Sequence, residues 1–190
     1  MRCISCQSLS YKIICDDCQD RFLQPSFYKR EIQKDFFVYS FYKFDDIKDL
    51  INTKYHFFGD RVFKILASLT FKKFGLTFNY SDQIYAIPID DHTRHQFSHT
   101  AILAKSLKSQ YITPLYDCIK ATNIVKYAGK DLKFREQNPR KFIYKGPSNI
   151  QTIVVDDLVT TGTTINEAKI ILNKNSVEVL FGLAISDAQI

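Results

Sequence analysis

The sequence predicts an α/β fold built on a parallel sheet, with a small metal-binding module ahead of it. Three observations carry that expectation. Thr152-Ile153-Val154-Val155 is an apolar run that leads through a polar turn into a helical pattern and then a second apolar run at 177–185. A strand–helix–strand order of this kind needs a crossover, which makes the two strands parallel. Upstream, from residue 84, runs of strand length already alternate with a stretch of helical period. Finally, four of the 5 cysteines fall within the first 18 residues.

The size is that of one α/β domain with a small appendage: 190 residues, 45% hydrophobic and 14% aromatic. A chain with 16 Phe and 11 Tyr has enough apolar surface to exclude disorder as its main state. With 6 Gly and 5 Pro it is neither collagen-like nor a linker. No apolar run approaches the ~18 residues of a spanning helix. The start, Met1-Arg2-Cys3-Ile4-Ser5-Cys6, lacks the apolar stretch of a secretory signal. The expectation is a cytoplasmic protein.

The elements follow in order. Cys3, Cys6, Cys15 and Cys18 form C-x2-C-x8-C-x2-C. In a cytoplasmic chain, paired CxxC units read as a metal site rather than disulfides. Four thiolates from two tight turns suit tetrahedral Zn²⁺ in a closed, structural role. Residues 1–25 are therefore set apart as a zinc module and 36–190 as the main domain. Residues 36–44 are aromatic enough for a strand or hairpin. Residues 45–52 and 60–74 read as helices, the second with Asp60 as its cap and Gly75 as its stop. Ile84–Ile89 reads as a strand, Thr100–Leu107 as a helix facing inward through Ala101, Ala104 and Leu107, and 111–116 as a further strand. Cys118 reads as a buried apolar filler. Residues 120–148 have no clear period and read as a long loop with some helix. The last unit is the strand Thr152–Val155, a polar turn over 156–164, a helix over Ile165–Asn173 and a strand over Val177–Ile185.

Charge is concentrated rather than large. The net charge is +6, and residues 120–145 alone hold eight Lys/Arg against Asp131 and Glu136. Such a segment suits an anionic partner. It also contains Tyr127, Phe134, Phe142 and Tyr144. Cations for a backbone and rings for bases are what sequence-independent binding of single strands requires.

The chemistry resides in Ile153-Val-Val-Asp-Asp-Leu-Val-Thr-Thr-Gly-Thr-Thr164. An apolar strand ends in Asp156 and Asp157, and a turn rich in hydroxyls and containing Gly162 opens a helix. Orphan N–H groups and the dipole at a helix N-terminus attract an anion. Gly162 lets the backbone take the turn and come close to a ligand. Thr160, Thr161, Thr163 and Thr164 add hydroxyl donors. Together they describe a phosphate cup at the carboxyl end of a strand, where open α/β sheets bind ligands. Two carboxylates would repel the phosphate itself, but they suit a sugar's hydroxyls or a cation. A sugar phosphate meets both requirements, with Mg²⁺ bridging further phosphates. There is no G-x-x-x-x-G-K-[ST] or G-x-G-x-x-G, and no H-E-x-x-H or G-x-S-x-G.

At these residues the chain resembles the type I phosphoribosyltransferases. The resemblance implies that Asp156 and Asp157 bind the ribose hydroxyls of phosphoribosyl pyrophosphate and that Val159, Thr160, Thr161, Gly162, Thr163 and Thr164 wrap its 5′-phosphate. In purine-salvage relatives a third acid, the general base, stands where this chain has Thr160. More of the chain resembles the ComF-type competence proteins, which join a four-cysteine zinc module to a phosphoribosyltransferase domain. The matching stretches are Leu50–Tyr55 with Gly59-Asp60, Ala86–Ile89, Arg94–His99 and the basic Lys133–Phe142. In the Arg94–His99 turn, Gln96, Ser98 and His99 replace the family's Gly, Asn and Gln. The resemblance implies a role in uptake of single-stranded DNA, with phosphoribosyl pyrophosphate as ligand or substrate. It further implies partners in an uptake apparatus and a peripheral place at the inner membrane. Arg94, Lys130 and Arg135 are the candidate cations for pyrophosphate or DNA. The alternatives are a metabolic transferase that joins a free base to phosphoribosyl pyrophosphate, and a sensor that binds it without chemistry.

Overall fold

The computed structural model describes residues 1–89, 97–123 and 140–190. The expected α/β fold is present. Six strands form a sheet in the order β1-β2-β8-β7-β3-β4, parallel except for the β1–β2 hairpin at one edge. The strands are β1 Tyr28–Gln33, β2 Phe36–Lys43, β3 Ile84–Pro88, β4 Ile112–Pro114, β7 Ile150–Val159 and β8 Val177–Asp187. A separate antiparallel pair joins β5, Ile119–Ala121, to β6, Phe142–Tyr144.

Side chains alternate across the sheet, and each face buries its own apolar cluster. One holds Ile84, Ala86, Ile153, Val155, Leu183 and Ile185. It is covered by α2 (Phe44–Asn52), α3 (Gly59–Leu69), α4 (Phe71–Thr77) and α5 (His99–Ser106). The other holds Ile87, Val154 and Ala184, covered by α6 (Thr163–Lys174) through Ile165, Ala168 and Leu172, and by the β5–β6 pair through Ile119 and Phe142. The N-terminal segment carries α1, Asp16–Phe22, and sends Ile13, Ile14 and Leu23 into the first cluster. There the Tyr42 hydroxyl donates to the Leu23 carbonyl at 2.8 Å.

Five local expectations are corrected. The helix expected over 60–74 is two helices broken at Thr70, whose hydroxyl donates to the Leu66 carbonyl at 2.6 Å. Gly75 does not stop the second: it lies inside α4, where a Cβ would come 2.5 Å from the Leu107 carbonyl oxygen. Asp60 does not cap α3; it pairs with Lys64 one turn on, at 2.7 Å. Of the three residues expected to face inward from the α5 region, Ala104 and Leu107 are buried but Ala101 is only half-buried, Thr100 and Leu103 joining the inward face instead; the cap is Ser98, which accepts from the Ala101 amide at 3.1 Å. The polar turn expected over 156–164 is much shorter, because β7 runs on through both acids to Val159, paired with β8 as far as Asp187.

Among the described residues, no helix is long and apolar enough to cross a membrane.

Candidate functional site

The site gathers at the carboxyl end of β7. Asp156 and Asp157 are consecutive on a strand, so their side chains leave on opposite faces. Their surroundings differ accordingly. Asp156 is half-buried, and its Oδ1 accepts the Asp157 amide at 2.8 Å. Asp157 is 4% exposed. Its Oδ2 accepts from Lys54 Nζ at 2.7 Å, and His99 Nε2 lies 3.7 Å from Oδ1.

These partners come from distant parts of the chain. Lys54 sits on the 3-10 turn Thr53–Tyr55 after α2, and His99 opens α5. The two acids are consequently driven apart. Burial pushes the Asp156 carboxyl well above the ordinary range, and the adjacent Asp157 charge adds to it. Burial acts on Asp157 too, but the Lys54 and His99 charges outweigh it and hold that carboxyl below the ordinary range. Burial works against the charged form of Lys54, yet the Asp157 charge prevails and raises it to about 12. Adjacent acids with separated affinities for protons are a recurrent arrangement at functional sites.

Downstream of the acids the chain turns sharply. Gly162 has φ +84°, in the left-handed region, and a Cβ there would come 3.0 Å from Ile32 of β1. The Gly162 carbonyl accepts the first bond of α6, from the Asn166 amide at 2.9 Å. The Thr161 and Thr163 hydroxyls lie 2.8 Å apart. The turn is therefore a helix N-terminus, with its amides and half-buried threonines, at the end of the strand that carries Asp156.

The expected residues divide as follows. Asp156, Asp157, Thr160, Thr161, Gly162, Thr163 and Thr164 are brought together on one strand end and one turn. The Val159 side chain is 2% exposed and belongs to the apolar cluster under α6, while its carbonyl accepts the Ala188 amide at 2.8 Å. Arg94, Lys130 and Arg135 lie outside the described residues, as do Tyr127 and Phe134. Phe142 is buried in the core, and the half-buried Tyr144 gives its hydroxyl to the Pro147 carbonyl at 2.6 Å. Phe142 therefore presents no open ring for stacking. The sequence pattern does not assign Lys54, which stands there only within a family-like segment. The sole signal for Lys54 was a cation next to a buried apolar helix face.

The four cysteines form the second cluster. Their sulfurs all lie within 4.8 Å of one another, with Cys6 and Cys15 Sγ 3.7 Å apart. Tetrahedral Zn–S bonds of about 2.3 Å place sulfurs about 3.8 Å apart, so the set fits zinc. Burial would raise the Cys3 thiol, but the Cys15, Cys6 and Ser5 amides aimed at its sulfur lower it to about 6. At Cys15 the Cys18 amide works to lower the thiol, but the neighbouring thiols act the other way and it is raised to about 12, so the fit to zinc rests on the spacing of the four sulfurs.

No family model matches the sequence, and comparison with characterised proteins finds no match. Among solved structures the chain is similar to an adenine phosphoribosyltransferase at 12% identity and TM-score 0.41, over 90% of this chain and 89% of that one. It is also similar to the UMP synthase of Leishmania donovani at 16% identity and TM-score 0.38, over 66% of this chain but only 22% of that one.

Proposed function

We propose that this chain binds phosphoribosyl pyrophosphate at the end of β7 and belongs with the ComF-type proteins that support uptake of single-stranded DNA. One observation carries the ligand reading: a half-buried carboxylate, Asp156, stands near the end of β7, and the same strand leads on into a left-handed glycine turn that opens a helix. That sequence of groups offers an acceptor for a sugar hydroxyl next to donors for a phosphate.

The division of labour between the acids follows from their partners. Asp156 holds the ribose diol. Asp157 is already engaged by Lys54 and His99 and keeps the strand end in place. A cation at the site thus meets one available carboxylate rather than a pair. Mg²⁺, when bound, would neutralise charge on the pyrophosphate and stabilise it as a leaving group. The amides and hydroxyls of residues 160–164 hold the 5′-phosphate. The four cysteines hold a structural Zn²⁺.

The DNA role draws on the resemblance and on the cationic stretch 120–145. Calorimetric titration with phosphoribosyl pyrophosphate and Mg²⁺ tests the ligand reading, and absence of heat would remove it. Incubation with a panel of free bases separates catalysis from binding, because only a transferase releases pyrophosphate. Anisotropy titration of a labelled single strand across salt concentrations tests the DNA role, since phosphate contacts make affinity fall as salt rises.

A further inference from the structure

We propose that Arg30, on the edge strand β1, is a positioning residue for the phosphate turn: it fixes the Thr160–Thr161 peptide and so sets the affinity of the turn for a phosphomonoester. The inference rests on the phosphate reading above and adds a control point that the acid–threonine motif does not contain.

The geometry starts from a fork. Arg30 Nε donates to Asp187 Oδ2 at 2.6 Å, and Nη2 donates to Asp187 Oδ1 at 3.1 Å. The same Nη2 donates to the Thr160 carbonyl at 2.7 Å, and Nη1 reaches Gln189 Oε1 at 3.2 Å. Asp187 is 1% exposed and also accepts the Gln189 amide at 2.9 Å. The guanidinium is therefore held by a buried carboxylate before it touches the turn. Its planar fork matches that carboxylate in two bonds and still leaves a donor over, which the point charge of a lysine cannot reproduce.

The consequence for the turn comes from peptide geometry. The described residues contain no cis bond. In a trans peptide the C=O and the following N–H point in opposite directions. Drawing the Thr160 carbonyl toward Arg30 therefore turns the Thr161 N–H away from it. Ile32, two residues along the same strand, closes the other side: its side chain lies where a Cβ on Gly162 would be, at 3.0 Å. Strand β1 thus touches the turn twice, once through a polar fork and once through an apolar wall. Both restrict how the turn can be arranged.

The test compares the full-length protein with Arg30→Ala and Arg30→Lys, using ribose 5-phosphate as the calorimetric probe. Phe41→Leu, a core change in the cluster on the opposite face of the sheet, is the control for general destabilisation. Backbone amide exchange over residues 160–163 is read on the same four proteins without ligand. The expected result is a loss of about tenfold or more in ribose 5-phosphate affinity for Arg30→Ala, partial recovery for Arg30→Lys, and no change for Phe41→Leu. Exchange over 160–163 is expected to quicken in Arg30→Ala and not in Phe41→Leu. Equal affinity of Arg30→Ala and the parent would overturn the proposal, as would an equal loss in Phe41→Leu. If the parent itself fails to bind ribose 5-phosphate, the phosphate reading falls separately. Exchange then decides whether Arg30 orders the turn, and unchanged exchange would overturn that as well.

Discussion

Lys54 Nζ lies 2.7 Å from Asp157 Oδ2, and this pair joins the turn after α2 to the end of the central strand β7. Both side chains are largely buried, at 17% and 6% exposure. Removing one partner would strand the other charge out of water. This changes what the acidic pair means. Adjacent aspartates at a strand end look interchangeable, yet one is held by a buried cation and the other, half-buried, is the carboxylate proposed to meet a ligand.

The first prediction follows from that asymmetry. Asp157→Ala is expected to destabilise the protein by roughly 3–5 kcal/mol, the usual cost of breaking a buried pair. Asp156→Ala is expected to cost much less. Urea unfolding of the unliganded variants measures both, and equal losses would contradict the assignment.

Asp156→Asn gives a second and opposite expectation. The raised affinity of this carboxyl for protons means the native state binds a proton more tightly than the unfolded chain. Stability then falls as pH rises from about 4 through the native value. Asparagine removes the charge and keeps an oxygen for the Asp157 amide. Near neutral pH the unliganded variant is expected to melt higher, by about 2–4 °C per kcal/mol gained. The gain is expected to vanish in acid, while binding of phosphoribosyl pyrophosphate is lost at least tenfold. Thermal melts at several pH values, paired with calorimetry, read both.

Titration of the Lys54–Asp157 pair runs the other way at its acidic end. Asp157 is held below the ordinary range, so its contribution is complete above about pH 4 and is lost as pH falls toward the native value. Lys54 is raised to about 12, so its contribution is complete below about 10.4 and is lost as pH rises past the native value. Asp157→Asn is expected to lose less stability than the parent on going from pH 7 to pH 3. Chemical unfolding at the two pH values measures the difference.

Gly162→Ala is expected to destabilise through two separate causes. A side chain at φ +84° costs about 1 kcal/mol, and the new Cβ meets Ile32 at 3.0 Å. Adding Ile32→Ala relieves the second cause and not the first. A double-mutant cycle is expected to show favourable coupling between the two changes, and strict additivity would mean that the contact is slack.

Removal of the zinc proposed for the four cysteines is expected to reach beyond the cysteine segment. Ile13, Ile14 and Leu23 sit in the same apolar cluster as Ile47 and Ile51, so loosening the metal loop loosens one wall of the core. A loss of about 3 kcal/mol would lower the melting temperature by about 6–12 °C. Melting of Cys3→Ser, with metal content measured alongside, checks this.

The parts of the fold that announce themselves in sequence are those whose neighbours are local. The apolar run 152–155 and the amphipathic run after it define a strand and a helix by period alone. Strand β1 escaped notice because Tyr28-Lys29-Arg30-Glu31-Ile32-Gln33 is polar along one side, as an edge strand tolerates. The extent of β7 was misjudged because two aspartates argue for a loop until Lys54, 103 residues away, is seen beside one of them. The acid–turn motif was legible residue by residue. Its supports were not, since Lys54, His99 and Arg30 are placed by topology and carry no local pattern.

The position of β8 between β2 and β7 has a consequence for how the molecule comes into being. A ribosome makes the hairpin and the β3–β4–β7 group first, as two half-sheets with raw inner borders. The strand that welds them is made after both. Until it inserts, those borders are open to wrong partners, and long-range pairing of this sort is slow. Asp187 arrives with that same strand, so Arg30 and the turn it touches acquire their final arrangement only at the closing act of folding.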